Sequence, residues 1–521
     1  MFSSVTSGAV NGIIPYIMQV EVDTSTGLPG FNMVGYLSSE VREAGDRVRV
    51  ALKNSGFKLP AQKTTVNLAP AGIRKEGIAV DLPLAIGILI STGELAEDTI
   101  ANTLIIGELG LDGEVKQVQG VLPIVKKAKE QGYTTCILPK VNAKEGASIN
   151  GVKVIGVETL IEAVFYLKTD PKDRDNLIPP TVVDIKSLFR NLDNASTNLD
   201  FADINGQSAV KRAVEIAAAG FHHILLVGPP GSGKSMIAKR IPSILPPLSE
   251  DESLEVSTIY SVAGMLDKDE FLMTRRPFMS PHHTITESAL AGGGRIPRPG
   301  VISLSHRGVL FLDEMAEFSR TTLDLLRQPL EDKKVNIART SGTFTYPADM
   351  MVVGAMNPCP CGYYPDMNRC KCTEKEIQRY LSHLSGPILD RIDISIEAPK
   401  VDVSELGSNN SINESSSTIR KRVMKARDIQ ERRFRGTSLR FNSDMGPSEI
   451  NQFCKLGITE KRLMEQIYNT MNLSARSYHR VLKVARTIAD LEGCEQIKDR
   501  HLTEAACYRM TDSKYWGRNR E

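Results

Sequence analysis

A single tryptophan, Trp516, stands in 521 residues, and the aromatic residues together make up only 6% of the chain. No apolar stretch approaches the roughly 18 residues that would mark a membrane-spanning helix. The longest candidate, Ile78 to Ile90, is interrupted by Asp81 and Pro83, so no such helix is expected. The formal net charge is only +2, so bulk charge gives no sign of nucleic acid and any basic surface has to be local. The first residues, Met1-Phe2-Ser3-Ser4-Val5, carry no basic segment followed by an apolar core, so no signal peptide is expected. The eight cysteines then read as reduced thiols in a cytoplasmic protein, and a cluster of them as metal-binding rather than disulfide-bonded. With 41% hydrophobic and 24% charged residues, the chain is of ordinary soluble, globular composition, sized for about three domains.

The most informative stretch is Gly228-Pro229-Pro230-Gly231-Ser232-Gly233-Lys234-Ser235. It follows the strand-like run His223 to Val227 and precedes a helical reading over Met236 to Arg240, the context that makes G-x-x-x-x-G-K-[ST] a phosphate-binding loop. Glycines let backbone N–H groups approach phosphate oxygens, and the helix N-terminus adds its positive dipole. Lys234 is expected to reach the β- and γ-phosphates of ATP, and the Ser235 hydroxyl to ligate Mg²⁺. Downstream, Gly308 to Leu312 is an apolar run ending in Asp313 and Glu314. It reads as a strand buried on both faces, with ligand groups at its carboxyl end. Asp313 is expected to hold Mg²⁺ and Glu314 to polarise the attacking water.

Residues 1–170 alternate strand-like and helix-like stretches, an α/β domain. Gly27-Leu28-Pro29-Gly30-Phe31, Gly107 to Gly113 and Gly132 to Pro139 resemble the proteolytic domain of Lon proteases. That family uses a Ser–Lys dyad. Here the matching stretch Arg74 to Asp81 has Ala79 at the nucleophile position, and the lysine position falls near Leu122 or Ile124. Without an activated nucleophile no covalent catalysis is expected, so the domain reads as a scaffold for assembly or partner contact and not as a protease.

Residues 171–198, with Pro171, Pro179 and Pro180, read as a linker. In residues 199–400, Val352 to Asn357 resembles the sensor strand of AAA+ proteins, with Asn357 orienting water near the γ-phosphate. Asp200 to Gln207 resembles the segment that covers adenine there, which implies Ile204, Gly206 and Gln207 at the base. Arg276 to Thr284 and Gly300 to Gly308 look like the motor subunit of magnesium chelatases. With the Lon-like front, the whole chain resembles the ComM/YifB family of magnesium-chelatase-like AAA+ ATPases. That resemblance implies a P-loop motor with a parallel sheet, a helical C-terminal lid over 401–521, and a homo-hexamer that migrates DNA branches during recombination of imported DNA.

Two insertions carry the expected DNA contacts. Thr284 to Pro299, with Arg295 and Arg298, occupies the place of a helix-2 insert. Lys333 to Tyr346, with Lys333, Lys334 and Arg339, resembles the hairpin before the sensor strand. Ser385 to Asp393 resembles an arginine-finger segment, implying that Arg391 reaches the neighbouring subunit's γ-phosphate. Leu473 to Arg480 looks like a second sensor, with Arg476 facing nucleotide and Arg480 as the alternate. The basic helix Ile419 to Phe434 reads either as a solvated face or as a DNA or subunit contact. Cys359, Cys361, Cys370 and Cys372 form two C-x-C pairs, in type a closed Zn²⁺ site or else clustered free thiols. Two other readings share the motor: a chelatase motor acting on a partner enzyme, and a protein-remodelling ATPase.

Overall fold

A computed structural model describes residues 1–59, 61–72, 75, 79–190, 199–267, 269–339, 342–400 and 413–516. Outside the described residues fall half of the Arg74 to Asp81 stretch (Arg74, Glu76, Gly77 and Ile78), the end of the linker, Thr340-Ser341, much of the segment from 401 to 417 and the end of the tail.

The front region opens on a long antiparallel pair, Phe2–Asn11 with Ile14–Ser25. Lys63–Ala69 and the edge strand Gly30–Val34 extend it to a four-stranded sheet. Helix Asp81–Ser91 is apolar nearly all round and every residue in it is buried, as a helix with no polar face must be. A second, parallel sheet joins Thr103–Ile105, Thr135–Pro139 and Lys153–Val157. The linker is not wholly irregular: short helices form over Arg174–Leu177 and Ile185–Arg190.

The motor is a five-stranded parallel sheet in the order Phe278–Met279, Val309–Leu312, Met351–Met356, Ile224–Val227, Ile394–Glu397. Its three central strands are buried at every position, which is why their sequences are unbroken apolar runs. Val227 pairs with Met356 and Leu312 with Gly354, so the segments after these three strands emerge side by side at one edge. Helix Ser208–Gly220 packs against this sheet and shares one core with the C-terminal helices Ser416–Arg433, Ala475–Leu491 and Asp499–Trp516. Part of the basic charge of Ser416–Arg433 is answered within the chain, while Lys421, Lys425 and Arg432 are exposed. Arg422 pairs with Glu215 and Glu414, Arg427 lies over the Phe441 ring and pairs with Glu431, and Arg433 pairs with Asp490. Trp516 is buried, its indole N–H donating to the Leu381 carbonyl at 3.1 Å.

The front region is keyed to the motor at helix Glu250–Ala263, which is started by a Ser249/Glu252 capping box and stopped by left-handed Gly264. Buried Glu145 accepts from Ser261 Oγ at 2.5 Å, and Gly120 N–H donates to the Ser261 carbonyl. Among the described residues no helix is long and apolar enough to cross a membrane.

Candidate functional site

The loop after Ile224–Val227 needs its glycines for two different reasons. Gly231 (φ +76°) and Gly233 (φ +81°) adopt left-handed backbone, and a Cβ at either would meet nothing within 4 Å. There the residue serves conformation, and the face of the loop stays open to a ligand. A Cβ at Gly228 would instead lie 2.1 Å from the Ala398 carbonyl oxygen, so this glycine serves packing against the end of the neighbouring strand. Lys234 opens helix Lys234–Ala238. Its ammonium donates to the Gly228 and Pro229 carbonyls at 2.7 and 2.9 Å and to Asn357 Oδ1 at 3.2 Å. Ser235 Oγ donates to Asp313 Oδ2 at 2.7 Å.

Thus four of the expected groups, from three strand ends, are already in contact. A hydroxyl and a carboxylate facing each other fit Mg²⁺, and a lysine over an open glycine loop fits the phosphates of ATP. Glu314 follows in left-handed backbone (φ +50°), which turns its side chain outward to 63% exposure. His283 Nδ1 lies 3.7 Å from its Oε2, a neighbour from the chelatase-like motif to which the sequence alone assigns no role.

Burial pushes the Lys234 ammonium down to about 8, against the opposing pull of Asp313. Bound phosphates restore the charged form, so binding takes up a proton, and affinity is lost as pH rises through that value. The dissociation constant for ATP, measured by calorimetry, should weaken by about tenfold between pH 7 and pH 9. A flat profile over that range would show that Lys234 stays charged without nucleotide.

Gln207, also left-handed (φ +56°), ties the preceding segment to this loop: its Nε2 donates to the Ser232 and Pro399 carbonyls at 2.5 and 2.9 Å. The Ile204 side chain, expected at the base, lies in the motor core, and its carbonyl accepts from Lys211. Gly206 turns the chain between them (φ +64°).

Arg391, expected at a neighbour's γ-phosphate, and Arg476, expected to face nucleotide, meet at a residue the sequence does not single out. Arg391 pairs with Glu331 through Nη2 and donates through Nη1 to the Pro387 carbonyl at 2.7 Å. Arg476 approaches the other oxygen of Glu331 at 3.7 Å and is 62% exposed. Arg480, the alternate, is turned inward: its Nε lies 3.5 Å from Asp393. Asp393 also meets His222 Nδ1 at 3.2 Å at the start of the P-loop strand, and its carboxyl is held well below the usual range, burial being outweighed by His222 and Arg480. Arg276 of the chelatase-like motif is likewise structural, its buried guanidinium bridging Glu252 and the Pro246 and Arg307 carbonyls.

The hairpin pairs Lys334–Arg339 with Gly342–Pro347. One face, Val335, Ile337, Phe344 and Tyr346, is buried, and the turn at Gly12 of the front region packs on Phe344. Lys334 and Arg339 are exposed, and Arg339 Nε donates to Gly294 of the insert at 3.5 Å, so hairpin and insert touch. Arg298 is exposed, and Arg295 pairs with Glu40 at 2.8 Å. Lys333 departs from expectation. It caps helix Arg327–Asp332 in left-handed backbone, and its ammonium is bound between Asp349 and Asp444, so its charge is answered inside the fold.

Cys359, Cys361, Cys370 and Cys372 present sulfurs all within 4.8 Å of one another. The Gly362 and Tyr364 N–H groups donate to Cys359 Sγ, and four such sulfurs are a fitting donor set for Zn²⁺. A Cβ at Gly362 would lie 2.5 Å from Pro230 Cδ, so this loop leans on the P-loop itself. In the front region Leu122 and Ile124, at the dyad-lysine position, are buried among apolar neighbours, and Lys127 pairs with Glu130.

Family models of the magnesium chelatase subunit ChlI match residues 200–406, of subunit ChlI of Mg-chelatase residues 20–142, and of the ChlI C-terminal part residues 413–509. The chain is 41% identical over 506 residues to the competence protein ComM of Haemophilus influenzae, covering 97% of each chain. It is 42% identical over 510 residues to the uncharacterized protein YifB of Escherichia coli, covering 98% of this chain and 97% of that one. Lon protease 2 of Bacillus subtilis is 27% identical over 188 residues, 32% of this chain and 33% of its own. Likeness that runs from end to end at this identity, over a sheet whose strand ends bring Lys234 to Asn357 and Ser235 to Asp313, makes this chain a AAA+ ATPase of the ComM/YifB magnesium-chelatase-like family.

Proposed function

We propose that the chain hydrolyses ATP at the interfaces of a homo-hexameric ring and uses the energy to translocate on DNA and migrate branches, as in recombination of imported DNA. One observation supports the DNA part of this reading: the hairpin and the insert touch through Arg339 and Gly294, and between them they carry the exposed cations Lys334, Arg339, Arg298 and, paired with Glu40, Arg295. In the ATP site, Lys234 and the loop amides hold phosphates, and Mg²⁺ on Ser235 and Asp313 would supply charge neutralisation across them. Glu314 polarises the water, Asn357 orients it, and the backbone around Gly206 and Gln207 lies toward the base. Arg391 and Arg476, sharing Glu331, serve the neighbouring subunit's γ-phosphate as a pair.

Under this reading residues 1–170 are a Lon-like scaffold without peptidase function, 199–400 the motor and 401–521 the lid. The four cysteines hold zinc and brace both Asn357 and Pro230. Purified protein should then carry about one zinc per chain, and Cys359→Ser with Cys372→Ser should remove it. Metal analysis finding none in the parent protein would strike zinc from this account.

The DNA reading is tested by changing Lys334, Arg339 and Arg298 together to alanine. Removing one phosphate-binding cation should lower the salt slope of DNA binding by about 0.7–0.9. ATP turnover without DNA should stay at the parental rate. An unchanged salt slope, with rings assembled, would place DNA elsewhere on the molecule.

A further inference from the structure

Glu331 lies on the short helix Arg327–Asp332, which ends at Lys333, where the hairpin begins. Its carboxylate binds Arg391 on one oxygen and Arg476 on the other. The same helix grips the finger segment a second time, Arg327 Nη2 donating to Ser385 Oγ at 3.2 Å just before helix Gly386–Leu389. The Arg391 Nε is buried without a hydrogen-bond partner, so its guanidinium keeps a donor that its present neighbours leave unused. At the other end of the helix, the Lys333 carbonyl accepts from Ala348 N–H at 2.8 Å and closes the base of the hairpin.

One carboxylate therefore joins two arginines to the root of the hairpin. A phosphate and a carboxylate bind guanidinium through the same forked N–H donors, so they compete for it. A phosphate brings more negative charge than one carboxylate, and two arginines together favour it.

We propose that Glu331 is the positioning residue through which a neighbour's nucleotide acts on the hairpin. Without a γ-phosphate in reach, Glu331 holds Arg391 and Arg476 side by side. A γ-phosphate takes over their donors, frees the carboxylate and releases the helix end that carries Lys333 and Lys334. This rests on the between-subunit reading of Arg391 and Arg476 given above, and it requires no DNA.

The test is hydrogen exchange of the backbone amides of residues 334–339 and 342–346 in assembled rings. Glu314→Gln protein is used to hold ATP and is compared with the same rings in ADP. Exchange of the hairpin should differ between the two nucleotides by about fivefold or more, the lower end of ordinary site-to-site coupling. Adding Glu331→Gln should bring the two nucleotide states to one value while ATP still binds, and Glu331→Asp should restore part of the difference. Arg476→Ala, which removes the other side of the contact, should also reduce it and serves if Glu331→Gln does not assemble. A nucleotide difference that persists undiminished in these variants, or that is absent from rings with Glu331 intact, overturns the proposal. Failure of the between-subunit reading is seen separately, as full hydrolysis by Arg391→Ala or as no recovery of activity when it is mixed with Lys234→Ala subunits.

Discussion

Rings of Arg391→Ala protein should bind ATP nearly as the parent does and hydrolyse it about a thousandfold more slowly or worse, the scale of arginine-finger loss in other NTPases. The side chain is anchored at Pro387 and Glu331 rather than at its own P-loop, whose lysine is occupied by Gly228, Pro229 and Asn357. In the between-subunit reading proposed above, its missing charge would be felt at the neighbour's nucleotide. Mixing Arg391→Ala with Lys234→Ala subunits should recover part of the activity, because some interfaces then combine an intact loop with an intact finger. Absence of recovery at every mixing ratio, with rings present, would put Arg391 to work within its own subunit.

Glu314→Gln should bind ATP and lose about 10² to 10⁴ in turnover, the usual contribution of a positioned general base. The amide keeps the shape of the side chain but cannot take charge from the water. Left-handed backbone at Glu314 turns its carboxylate away from Asp313, whose Oδ1 instead accepts the Glu314 N–H at 3.0 Å. Two adjacent acids are thereby set apart, as the separate tasks proposed for them require. Lys234→Ala differs in kind: binding itself should fail, since the phosphates lose their buried cation. Normal turnover in Glu314→Gln, measured by phosphate release at saturating ATP, would show that another group activates the water, and His283 is then the nearest candidate.

Much of this is legible in the sequence because it is local. The P-loop depends on spacing within eight residues, and the central strands declare themselves as unbroken apolar runs because both faces are covered. The rest depends on distant partners. Glu331 looks like any acid on a helix until the fold brings Arg391 and Arg476 to it. Lys333 and Lys334 are neighbours in sequence, yet the left-handed turn at Lys333 sends one ammonium to Asp349 and Asp444 and leaves the other in solvent. In the basic helix Ser416–Arg433, Arg422 and Arg433 meet Glu215, Glu414 and Asp490, which no local pattern shows, while Lys421, Lys425 and Arg432 stay exposed. Motif position puts Ile204 at the base, and the fold adds what no motif shows, that its side chain also packs into the motor core.

If ATP hydrolysis moves DNA, as proposed, the measurement that shows it most directly is ATP turnover by assembled rings at low salt, with and without forked DNA. The account predicts that forked DNA binds, raises the rate, and does so less in the Lys334, Arg339 and Arg298 variant. A chelatase motor would show no response to DNA and would respond to its partner enzyme. Rings that hydrolyse ATP at the same rate with and without forked DNA, and do not bind it, would contradict the account.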